Sequence, residues 1–121
     1  MPCIPLNTVK EIELAQGVHA RVVHTGNISV AHVTLDAGSV VPEHAHHHGQ
    51  VVNVIDGEME LTVNGTPNLL TRGTSYILPP MVPHSARAIT DVYVIDIFHP
   101  IREDFRAMAE GQAPSRPYDR K

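Results

Sequence analysis

Apolar and polar residues alternate along most of this chain. From residue 28 to residue 35, Ser29, Ala31, Val33 and Leu35 fall on one face, with Ile28, Val30, His32 and Thr34 on the other. Residues 58–63 repeat the pattern, with Glu58, Glu60 and Thr62 outward and Met59, Leu61 and Val63 inward. Residues 92–98 do so again, placing Val92, Val94, Asp96 and Phe98 on one face. A period of two is the signature of an extended strand with one face buried. Residues 18–24, rich in β-branched side chains, and the apolar run 50–55 read as further strands, and residues 8–14 as a short leading strand or arm. Turn signals separate these runs: Thr25-Gly26-Asn27, Asp36-Ala37-Gly38, Asp56-Gly57 as a hairpin dipeptide, Asn64-Gly65, Gly73 and Pro79-Pro80. Tyr76-Ile77-Leu78 forms one more short run before the prolines. Helical spacing occurs once, at Ile101, Phe105 and Met108, and predicts a short helix over residues 102–110. The expectation is an all-β sandwich or barrel with a short C-terminal helix, one domain over residues 1–110 and a flexible polar tail over 111–121.

Composition narrows the partners. With 121 residues and 42% hydrophobic content, the chain suits one globular domain. A net charge of -4 and the lack of a basic stripe exclude nucleic acid as an expected partner. No signal peptide or bilayer-length apolar run is visible, so no membrane association is expected. The single cysteine, Cys3, cannot form an internal disulfide, which fits a cytoplasmic protein.

The unusual count is nine histidines, of which His44, His46, His47 and His48 fall within five positions. Positions i and i+2 of an extended segment point the same way, so His44 and His46 can face one interior. Gln50 follows on the same parity with a neutral amide oxygen. Ligands must converge on a point ~2 Å from each donor, and a further histidine is needed to close the set. His84, just after Pro83, is the candidate. Such donors suit Zn, Ni, Fe, Mn and Co alike, so one divalent transition metal is expected without its identity. Asp96 is a carboxylate on the inward face of an apolar strand, where burial is costly unless the group is paired or functional. It is expected either to pair with Arg87 or Arg102, or to act as a general acid/base. Arg102 could solvate the helix start, or use its planar fork to hold a substrate carboxylate.

These residues resemble the cupin family. Gly38, His44-Ala-His46, Gln50 and Gly57 keep the spacing of the first cupin motif, with Gln50 where the motif has Glu. Gly73, Pro79, Met81, His84 and Ala88 keep the spacing of the second, with Met81 and Ala88 replacing Gly and Asn. The resemblance implies a double-stranded β-helix, or jelly-roll, barrel with the metal inside, often a homodimer. Exchanging Glu for Gln50 removes a negative charge and leaves the ion a stronger Lewis acid, more open to anions. The segment Asp96-Ile-Phe98-His-Pro-Ile-Arg102-Glu-Asp-Phe105, with the H-x-H-x-H-x-Q string, resembles the KdgF-type cupins that linearise 4,5-unsaturated uronates in pectin and alginate breakdown. There the matching Asp, Phe and Arg line the pocket beside the metal. That implies catalytic roles for Asp96 and Arg102, and substrate contacts from Phe98 and Arg102. His48 shares the inward parity of His44 and His46 and is expected at the pocket rim, in contact with substrate and not on the metal. The expected function is a metal-dependent enzyme acting on a small carboxylate-bearing sugar acid. The alternatives are a cupin dioxygenase using iron or another redox metal, and a non-catalytic metal or sugar-acid binding module.

Overall fold

The alternating runs become ten strands in two antiparallel sheets. In the computed structural model, which describes residues 2–111, the strands are β1 (Glu11–Ala15), β2 (Val18–His24), β3 (Ser29–Leu35), β4 (Val40–His44) and β5 (Gly49–Asp56). They continue with β6 (Glu58–Val63), β7 (Thr66–Thr71), β8 (Ser75–Leu78), β9 (His84–Ala88) and β10 (Val92–His99), followed by helix α1 (Glu103–Ala109). A 3-10 turn at Leu6–Thr8 precedes β1. One sheet has the order β1-β2-β3-β10-β5-β8 and the other β4-β9-β6-β7. The sheets enclose one core as a jelly roll without hydrogen bonds closing them into a single cylinder. All but one residue of the expected tail, Gly111, lies outside the described residues. No helix among the described residues is long and apolar enough to cross a membrane.

Alternation is realised as burial. Ser29, Ala31, Val33 and Leu35 are the buried face of β3, and Met59 and Leu61 that of β6. Ala20, Val52, Val54 and Val94 complete the six-stranded side of the core, and Val41, Leu70 and Ala88 the other. Each fully buried aliphatic side chain of this kind stabilises the fold by roughly 1.5–3 kcal/mol, so the two facing sheets depend on each other.

One turn departs from expectation. Asp56-Gly57 does not close a hairpin, because β5 pairs with β10 and β8 whereas β6 pairs with β7 and β9. The dipeptide instead carries the chain from one sheet to the other. Gly57 has φ +90°, and a Cβ there would lie 2.1 Å from the Asp91 carbonyl oxygen, so the crossing needs glycine. Asn64-Gly65 does close a hairpin, between β6 and β7, with positive φ at both residues.

Register sets the site. Across β10 and β5, Phe98 lies opposite Gln50 and Asp96 opposite Val52; across β4 and β9, His44 lies opposite His84. Neither β4 nor β9 is conspicuous as a strand in the sequence, and together they bring the two histidine-bearing segments together.

Candidate metal centre and its cavity

Three histidines meet between the sheets. His44 ends β4, His84 begins β9, and His46 reaches in from the connection between β4 and β5. Their ring centroids are 4.3 Å (His44–His84), 5.0 Å (His46–His84) and 5.5 Å (His44–His46) apart. One nitrogen from each lies within 4.8 Å of the others. The backbone decides which nitrogens these are. Nδ1 of His44 faces the Pro42 carbonyl at 2.8 Å, Nδ1 of His84 that of Val82 at 2.9 Å, and Nδ1 of His46 that of His48 at 3.1 Å. A carbonyl only accepts, so each Nδ1 carries the proton and donates, and each Nε2 presents a lone pair. Burial, then the positive charge of Arg102, lowers the pKa of His46 to about 3, which keeps its imidazole neutral.

Gln50 is the fourth candidate. Its Oε1 lies 3.2 Å from His46 Nε2, and the same side chain also acts on Asp96, favouring the ionised carboxylate. Two acceptors at that separation with no hydrogen between them fit a cation placed between them. Tethered Nδ1 groups are also the outer-shell pattern that orients metal-bound imidazoles. The donor set of His44, His46, His84 and Gln50 therefore fits a divalent transition metal.

A cavity adjoins this cluster, and His44, Gln50, His84, Asp96, Phe98 and Arg102 line it. Most of the remaining wall is aliphatic, including Val33, Val52, Met59 and Val94. Asp96 enters it from β10. Neither expected ion pair is made: Arg87 faces Glu60 at 3.7 Å and Arg102 pairs with Asp104 at 2.8 Å. Oδ1 of Asp96 is sealed from solvent and has no hydrogen-bond partner. Burial pushes its carboxyl up to about 7, against the opposing pull of the Gln50 hydrogen bond and the Arg102 charge.

Arg102 does not solvate the helix start, because it is only 2% exposed. Its backbone N–H donates to Ser29 Oγ at 2.8 Å, and its guanidinium carbon lies 3.8 Å from the ring centroid of Phe105 and 4.6 Å from that of Phe98. Phe98 therefore serves both the cavity wall and the seat of Arg102. His48 is buried but lines a neighbouring depression with His47, Pro100, Ile101, Glu103 and Asp104. Burial, then Arg102, lowers its pKa to about 4. Ser29 and Asp104 were not singled out by sequence patterning. Ser29 looks like an ordinary inward strand position, and Asp104 like a first-turn helix acid.

Comparisons with known proteins agree with this architecture. A family model described as a cupin domain matches residues 31–98. The HTH-type transcriptional regulator PuuR of Escherichia coli (strain K12) is 33% identical over 90 residues, covering 69% of this chain and 49% of the regulator. The H2HPP isomerase of Bacillus subtilis is 32% identical over 113 residues, covering 93% of this chain and 45% of that protein. The chain thus spans about half the length of the curated relatives it matches. The solved structure of KdgF from Halomonas sp. superimposes with a TM-score of 0.76 at 28% identity, covering 82% of this chain and 93% of that one.

Proposed function

The chain belongs to the cupin family, and on that premise we propose that it is a metal-dependent enzyme that linearises 4,5-unsaturated uronates to the keto form. His44, His46, Gln50 and His84 hold one divalent transition metal, which when bound supplies a Lewis acid to a substrate oxygen. The observation that carries the reading is Asp96, a carboxyl with a sealed, unpartnered oxygen on the cavity wall beside the candidate ligands. The superposition with KdgF supports the same substrate class.

The chemistry asks for one mobile proton. Asp96 takes it from the hemiacetal hydroxyl as the ring C–O bond breaks, leaving an aldehyde and an enolate. Asp96 then returns it to C4, and the enolate oxygen becomes the ketone. Atoms balance, and no oxidant is consumed. Arg102 holds the uronate carboxylate, with Phe98 and Phe105 packed on its guanidinium.

Turnover is tested on metal-loaded protein by following loss of the unsaturated-uronate absorbance under nitrogen, beside a His46→Ala control. Asp96→Asn should abolish the loss while metal content stays at the wild-type level. Metal lost along with activity would make Asp96 a structural residue instead. A second reading, a non-catalytic binding module, is favoured by the match to a transcriptional regulator. A uronate that binds and is recovered unchanged would select it. Turnover that requires oxygen would select the dioxygenase.

A further inference from the structure

Arg102 is fixed along one edge of its guanidinium. Its Nε donates to Asp104 Oδ1 at 3.0 Å and its Nη2 to Asp104 Oδ2 at 2.8 Å. Among the described residues, Asp104 receives every side-chain hydrogen bond that Arg102 makes. The two residues face different spaces: Arg102 lines the cavity beside the histidine cluster, and Asp104 lines the depression behind it. The Arg102–Asp104 pair is therefore a partition, with its cation on the cavity side.

A guanidinium binds a carboxylate best side-on, through two parallel N–H donors. In Arg102 the Nε/Nη2 edge is already spent on Asp104, and the rings of Phe98 and Phe105 pack against the group. That leaves the Nη1/Nη2 end, with its own pair of parallel N–H donors, for anything in the cavity. Asp104 also offsets one unit of positive charge next to a site built to hold a divalent ion. Without it, the cavity wall would carry an uncompensated cation suited to a more highly charged anion.

We propose that Asp104 is a positioning and specificity-determining residue: it locks Arg102 so that only the Nη1/Nη2 end receives substrate, and it limits that substrate to a singly charged carboxylate. This rests on Arg102 being the carboxylate anchor. It assigns a task to a residue that would otherwise only tie α1 to the sheet.

The test uses acetate and inorganic phosphate as probes on zinc-loaded protein, read through the side-chain NMR signals of Arg102 well below the melting temperature. In the wild type, acetate should move the Nη signals and leave Nε in place. In Asp104→Asn, acetate should bind about tenfold more weakly, the affinity of phosphate relative to acetate should rise, and Nε should lose its protection from exchange. Asp104→Glu, which keeps the charge, should regain the preference for acetate. An unchanged acetate affinity in Asp104→Asn, with only a lower melting temperature, would reduce Asp104 to a tether and overturn the proposal. So would an acetate response at Nε in the wild type. Turnover of the unsaturated uronate without any acetate response at Arg102 would sink this inference alone. An acetate response of the expected kind without turnover would support it and sink the uronate reaction.

Discussion

Met81 occupies the second-motif position where the cupin pattern has glycine, and it has φ +66°. The conformation is imposed by its surroundings, because its N–H donates to the His46 carbonyl at 2.7 Å and so anchors the segment bearing a candidate ligand. A left-handed backbone disfavours a residue with a Cβ by roughly 1–2 kcal/mol, and glycine gives part of that back through the entropy of the unfolded chain. The Met81 side chain is exposed, so little packing is lost with it. Met81→Gly should therefore stabilise the protein by about 0.5–1 kcal/mol in chemical denaturation, with metal content unchanged. A destabilised variant would mean that the thioether contributes more than its exposure suggests.

At the scale of elements, the entry into α1 hangs on β3. Ser29 Oγ accepts the Arg102 N–H at 2.8 Å and lies 2.7 Å from His24 Nδ1, so one buried hydroxyl joins β2, β3 and the start of the helix. The helix has no side-chain cap of its own, and its seven residues are too few to be stable alone. Ser29→Ala leaves a buried N–H without an acceptor and should cost about 1–3 kcal/mol. The amides of α1 should then exchange faster while those of β5 and β10 keep their protection. Uniform loss of protection in hydrogen exchange would show that the seam is no weaker than the sheets.

Over the whole molecule, stability should depend on the ion and on pH. A metal that binds the folded state alone adds about 4 kcal/mol at a thousandfold excess over its dissociation constant. Chelation should lower the melting temperature of the wild type and leave that of His46→Ala unmoved. The pH dependence of the metal-free protein has a contribution from His24. Its burial, then the nearby Arg106 charge, holds its pKa below the ordinary 6.5. The unfolded chain thus takes up a proton, as pH falls through 6.5, that folded His24 resists, so this stability is full above that value and is lost below it. Between about pH 7 and about pH 5, His24→Asn should lose less stability than the wild type in denaturant titrations. Parallel losses would assign the acid sensitivity to other groups.

The chain's alternation determined by itself that it would be an all-β fold, because a period of two is a local property and each strand declares its buried face. Residues 18–24 became β2 without adjustment, and the inward set Val92, Val94, Asp96 and Phe98 of β10 was legible residue by residue. The spacing of His44, His46, Gln50 and His84 was legible too, since motif spacing is a property of the chain. Three matters depended on long-range pairing, which no local pattern encodes. Asp56-Gly57 is a crossing because the partners of β5 and β6 lie elsewhere in the chain. Asp96 escapes both of its expected arginine partners because Arg87 lies against Glu60 and Arg102 against Asp104. His48, with inward parity, lines the depression behind the cavity because it sits in the bend after β4, where strand parity no longer directs a side chain. Short-range periodicity sets which face of a strand is buried; only the packing of distant segments decides which charges meet inside it.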